Sequence, residues 1–180
     1  MAKVLIPIAV GFEEIEAITI VDILRRAGVE AVMAGVDKKQ ITGAHGIEIK
    51  ADMHIDDVKP SEFDMVVLPG GLPGSTNLKE SKKVQEILGQ MDHDGKLIGA
   101  ICAAPIALAE AGVLKSSYTC YPSFEKQIDD SRYNPEADVV CDQNIITSNG
   151  PKSAMKFALT LVEKLCSKEK KEEIEKQLLL

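Results

Sequence analysis

The chain has no tryptophan, three tyrosines and four phenylalanines, so aromatics make up only 4% of its 180 residues. That leaves little material for stacking nucleic-acid bases or for a carbohydrate platform. Positive charge is also in deficit: 21 Lys and Arg stand against 28 Asp and Glu, for a formal charge of −7. An acidic chain without a basic stripe argues against direct nucleic-acid binding and against an anionic membrane as partner. No apolar run approaches the roughly 18 residues of a membrane-spanning helix. Lys3 leads at once into the strand-like VLIPIAV, without the pattern of a cleavable signal. The four cysteines, Cys102, Cys120, Cys141 and Cys166, form neither a C-x-x-C pair nor a metal-finger spacing. The expectation is a reduced, cytoplasmic protein with no metal site. No organic cofactor is implied either, because LPGGLPGS, the nearest phosphate-loop lookalike, lacks the lysine a P-loop requires.

What remains is ordinary for a folded protein: 45% hydrophobic and 27% charged residues, enough for one domain over residues 1–180. Strand-like and helix-like patterns alternate. Strands are expected at 3–10, 29–36, 64–68 and 96–101, with a small hairpin or a bent extension at 41–50, while 139–141 and 145–147 could pair as a hairpin around 142–144. Helices are expected at 13–27, 81–91 and 103–111, from Pro151 to about Cys166, and at 168–177. In the first helix Ile15, Ile18, Val21 and Leu24 fall at helical spacing and are read as the face toward the sheet. The alternation predicts an α/β fold with a mainly parallel sheet covered on both sides. Ligands of such sheets bind beyond the carboxyl ends of strands. Three turns fall there, at 11–16, 69–74 and 100–105, and topology lets them line one crevice.

Cys102 is the chief candidate for chemistry. In LIGAICAAP it stands between an apolar strand and a helix start, the setting of a nucleophile elbow, where backbone N–H groups favour the reactive thiolate. A buried structural cysteine is the competing account. Glu13, Glu14 and Glu16 crowd a helix start. Dipole complementation suffices for Glu13 and Glu14, whereas Glu16 lies on another face and could reach the crevice as a protonated donor to Cys102. Gly70 and Gly71 allow close backbone approach and could present an oxyanion hole, or simply form a tight turn. No histidine follows Cys102. His54 and His93 sit among acids as solvated residues, while His45, in a turn between Ala44 and Gly46, could reach over a site.

GFEEIEAITIVDILRRAG, DMVVLPGG, GAICAAP, TCYP and TSNGP occur in order from about Val4 to Leu165. Together they resemble the DJ-1/ThiJ/PfpI family, and most closely its DJ-1-like branch with bacterial ThiJ-type members. The resemblance implies a flavodoxin-like three-layer sandwich and a homodimer, with the helix at 13–27 as the place for the interface. It implies a reactive Cys102, a protonated Glu16 beside it, and oxyanion-type amides at Gly71 and Ala103. Gly70, Tyr121 and His45 would line the substrate pocket. The activities it implies are glutathione-independent glyoxalase or deglycase chemistry on reactive aldehydes or glycated adducts, or redox sensing and chaperone action through oxidation of Cys102. Cys120 would then be a possible redox partner or a buried small residue. Tyr121 stands where several family members carry a histidine, and Asn149 where an arginine is frequent. The missing Cys–His pair counts against a peptidase and against fast glyoxalase turnover, since a general base contributes roughly 10²–10⁴ in rate. It also gives weight to an inactive scaffold.

Overall fold

Strand β1 (Lys3–Ile8) shows how the sheet is built. Val4, Ile6 and Ile8 enter one apolar core and Leu5 the other, the two-residue alternation of a strand covered on both faces. The same split recurs in β6 (Met65–Leu68), where Met65 and Val67 face the first core and Val66 and Leu68 the second. The computed structural model describes residues 1–128 and 130–180.

Seven strands form the main sheet. To β1 and β6 are added β2 (Glu30–Gly35), the two-residue edge strand β5 (Met53–His54), β7 (Leu97–Ile101), β8 (Val139–Asp142) and β9 (Ile145–Ser148), in the order β5-β2-β1-β6-β7-β9-β8. All neighbours are parallel except β8 and β9, which form an antiparallel hairpin turned at Gln143 and Asn144. The segment at 41–50 is a hairpin as well. Its strands β3 (Gln40–Thr42) and β4 (Glu48–Lys50) pair apart from the main sheet. Helices α1 (Glu14–Arg26), α5 (Ala154–Leu165) and α6 (Lys168–Gln177) cover one face. Helices α2 (Gly74–Glu80), α3 (Lys82–His93) and α4 (Pro105–Glu110) cover the other. This is the mainly parallel, flavodoxin-like α/β sandwich expected from the sequence.

Two local expectations need correction. Ile15 and Ile18 do not face the sheet; they are 58% and 43% exposed. The buried arc of α1 is instead Glu16, Ala17, Ile20, Val21, Ile23 and Leu24. Apolar spacing alone left two arcs open. The carboxyl of Glu16, held inside by a hydrogen bond from the Gly70 N–H at 2.7 Å, selects the second. Helix α2 was not anticipated because GSTNLKE carries a single leucine and hence no apolar period. Asn77 Nδ2 ties it to the Val10 carbonyl at 3.0 Å.

The three turns at the strand ends do converge. The Glu13 N–H donates to the Gly70 carbonyl at 2.9 Å and the Gly74 N–H to the Gly11 carbonyl at 3.2 Å. Gly71, at φ +91°, sits where a Cβ would lie 2.3 Å from the Glu13 nitrogen and 2.5 Å from the Gly11 carbonyl oxygen. Only glycine permits both that backbone conformation and that approach.

Candidate active site

Cys102 follows β7 at φ +63°, a left-handed conformation that costs a non-glycine residue about 1–3 kcal/mol. Neighbouring backbone holds it there. Its N–H donates to the Ser148 carbonyl of β9 at 2.9 Å, and its carbonyl accepts from the Tyr121 N–H at 2.8 Å. The elbow expected from LIGAICAAP is therefore real, and its side chain, 8% exposed, forms part of the wall of a cavity of about 350 Å³. That volume suits a small substrate.

Glu16 approaches Cys102 from α1. It has no exposed surface; Oε2 accepts the Gly70 N–H, the Cys102 thiol hydrogen-bonds the carboxyl, and the charge of Glu13 opposes its ionisation. Oε1 has no conventional partner. Gly70 is what permits the meeting, because a Cβ there would lie 2.6 Å from both Cys102 Cβ and Glu16 Oε2. Burial raises the Glu16 carboxyl to about 7, against the pull of the Gly70 and Cys102 hydrogen bonds.

The thiol experiences an opposition that the motif did not reveal. Burial pushes Cys102 up, and an ionised Glu16 beside it pushes it further. The N–H groups of Ala103 and Gly71 pull the other way, toward the anion. The helix beyond the elbow is a single short element starting at Pro105, so the expected helix dipole contributes little. The thiolate is thus favoured in the state where Glu16 keeps its proton: the repelling charge is then gone and a donor stands in its place. The two groups act as one coupled pair.

Around the cavity lie Glu13, His45, Gly71, Leu72, Tyr121 and Phe124, with Ala103 beside Cys102. Tyr121 is half-exposed and meets Phe124 edge-on at 6.4 Å. The structure therefore gathers Cys102, Glu16, Gly70, Gly71, Ala103, Tyr121 and His45 at one place. It does not bring in Cys120, which is wholly buried in the core on the other face of the sheet, near Glu125 and Tyr133, with its thiol pushed up to about 12 by burial. Asn149 is also directed elsewhere; its side chain meets Ser153 and Asp138.

The reading from sequence missed Glu14. It is 5% exposed and does more than complement a dipole: Oε1 accepts the backbone N–H groups of His45 and Ile47 at 2.7 and 3.3 Å, and Oε2 meets His45 Nδ1 at 2.8 Å. Burial would raise this carboxyl, but the hydrogen bonds from the His45 side chain and from the backbone outweigh it and hold it below its ordinary value. No local signal could have shown this, because the partners are 31 residues apart. Glu13, Glu14 and His45 are also the one group of three potential metal ligands among the described residues. The hydrogen bonds to both Glu14 oxygens account for the arrangement without an ion.

The family model for "DJ-1/PfpI family" matches residues 2–164. The chain belongs to the DJ-1/PfpI family. Among its DJ-1 relatives, Protein DJ-1 homolog B of Arabidopsis thaliana is 41% identical over 175 residues, 96% of this chain but 40% of that protein. The chain thus spans less than half the length of that relative. The glutathione-independent glyoxalase DJR-1.2 of Caenorhabditis elegans is 37% identical over 169 residues, covering 93% of this chain and 90% of the relative. The solved structure of oxidised DJ-1 from Toxoplasma gondii superimposes with a TM-score of 0.95 at 40% identity, covering 99% of this chain and 98% of that one. No helix among the described residues of this DJ-1/PfpI protein is long and apolar enough to cross a membrane.

Proposed function

We infer that the protein is a cysteine-dependent enzyme of DJ-1 type that converts small reactive 2-oxoaldehydes or their adducts, with chemistry of the glyoxalase or deglycase kind. The carrying observation is that Cys102, in the wall of a small cavity, meets the buried Glu16 and Gly70 behind it. A relative at 37% identity that is named a glutathione-independent glyoxalase supports this substrate class.

In this reading Cys102 Sγ attacks the aldehyde carbon. The N–H groups of Gly71 and Ala103, directed at sulfur in the free protein, receive the developing oxyanion. Glu16, raised to about 7 by burial, exchanges a proton with the sulfur site at neutral pH. Leu72, Phe124 and the Tyr121 ring supply apolar walls. The test is lactate formation from methylglyoxal: wild type should turn over and Cys102→Ser should not. Equal lactate from both would remove Cys102 from the chemistry, and none above background from either would dismiss the activity.

A redox role at the same sulfur is the second reading, favoured by the oxidised state in which the Toxoplasma gondii relative was solved. Peroxide would add oxygen to Cys102, with Glu16 as a donor to the resulting acid. Intact-mass measurement after mild peroxide decides, since oxygen that does not go first to Cys102 excludes it. A homodimer through α1 fits the unsatisfied apolar surface of Ile15 and Ile18. A monomeric mass by light scattering at micromolar concentration would exclude that assembly.

A further inference from the structure

Aldehyde chemistry at Cys102 leaves one proton unassigned. After sulfur adds to C1 of a 2-oxoaldehyde, the hydrogen on C1 must leave as a proton. Its electron pair forms the C1–C2 double bond of an ene-diol while the C2 oxygen takes up a proton. Reprotonation at C2, with loss of the C1 hydroxyl proton, gives the thioester of a 2-hydroxy acid. Water then releases the acid and restores the thiol. C1 is oxidised and C2 reduced by the same electron pair, so no outside oxidant is needed.

Glu16 is poorly placed for the carbon-bound proton. It lies wholly buried against the sulfur, with Oε2 committed to the Gly70 N–H. The cavity's other ionisable side chains are Glu13, His45 and Tyr121. A phenol is a weak base at neutral pH. His45 has the features of a positioned base: its Nδ1 is held by Glu14 Oε2 at 2.8 Å and its backbone N–H by Oε1 of the same carboxylate. The turn is built around that carboxylate. A Cβ on Gly43 would lie 2.3 Å from Glu14 Oε1, so glycine is what lets the loop close over it. With Nδ1 donating to Glu14, the lone pair rests on Nε2, which has no hydrogen-bond partner among the described residues.

We propose that His45, oriented by Glu14, is the general base that carries the C1 proton to C2. The inference rests on the aldehyde reading above. His45 is a catalytic residue on this account and Glu14 a positioning residue. The charged and titratable groups facing His45 are Glu13 and Glu14 from α1, with Cys102 and Tyr121 across the cavity. The Glu14 hydrogen bond, then the charges of Glu13 and Glu14, raise the imidazole above its ordinary value, which strengthens it as a base once deprotonated.

The experiment compares wild type, His45→Gln, Glu14→Gln and His45→Ala for lactate formation from methylglyoxal, with Cys102 alkylation by iodoacetamide followed in parallel. Expected is a fall in kcat of about 10²-fold or more in His45→Gln, the size of a general-base contribution, with alkylation of Cys102 unchanged. Glu14→Gln keeps an acceptor for the loop N–H groups but offers a donor to Nδ1. That transfers the imidazole proton to Nε2, and kcat should fall comparably. Added imidazole should partly restore His45→Ala. An active wild type with His45→Gln within twofold of it overturns the role of the pair and leaves the aldehyde reading standing. A wild type without turnover overturns both.

Discussion

Two carboxylates two residues apart at the head of α1 both have little exposed surface, yet Glu16 lies far deeper in the fold and the two have opposite proton affinities. Glu14 is 5% exposed and held below its ordinary value; Glu16 is fully buried and raised to about 7. Depth and donor supply together make the difference. Glu14 receives two backbone N–H groups and an imidazole, enough to replace lost water. Glu16 receives one backbone N–H and faces a thiol, a weak partner, leaving Oε1 without a conventional hydrogen bond. Low exposure alone therefore does not decide the charge of a carboxylate; its depth and the donors that face it do. One helix turn thus carries an anion toward the His45 loop and an exchangeable proton toward Cys102.

The largest effect on this contrast should come from Gly70→Ala. The added methyl would lie 2.6 Å from both Cys102 Cβ and Glu16 Oε2, so the pair must separate. Methylglyoxal turnover should fall about 100-fold or more, given what displacement of a reacting group costs, while the Glu14–His45 side stays intact. Turnover within threefold of wild type would show that the close approach is not needed.

Glu16→Gln should erase the contrast from one side. Glu16 titrates at about 7 in the folded chain against 4.5 unperturbed, so the folded state binds more protons between those values and loses stability as pH rises through them. The neutral variant escapes that loss. Its melting temperature should gain on wild type between pH 5 and pH 8, by up to about 3 kcal/mol of stability. A difference that is flat over this range would mean Glu16 is not raised.

Glu14→Ala should give the smaller effect with the reverse slope. Glu14 is lowered below 4.5, so its stabilisation is present above that pH and fades as pH falls through its folded value. Loss of the hydrogen bonds to the loop should cost about 1 kcal/mol at pH 7 and progressively less in acid. Denaturant midpoints at pH 7 and pH 3.5 measure it, and an equal penalty at both would remove the charge from the explanation.

Much of this is legible in the sequence. Strand and helix alternation depends on short-range period, and it located the parallel sheet, the hairpins at β3–β4 and β8–β9, and the elbow at Cys102. The close pairing of Glu16 with Cys102 followed from motifs in register. The facing of α1 was not legible, since Ile15 and Ile18 fit one apolar arc as well as Ala17 and Ile20 fit another. Nor was Glu14, whose role depends on a turn 31 residues away.

The order of apolar, polar and glycine residues along the chain determined the layers of the sandwich and the elbow that carries Cys102, because backbone geometry and side-chain period act within a few residues. Tertiary structure alone decided which arc of α1 is buried, that Glu14 anchors the His45 turn, and that Cys120 lies in the opposite core. Those outcomes depend on desolvation and on donors contributed by distant loops, and both exist only once the strand ends have come together.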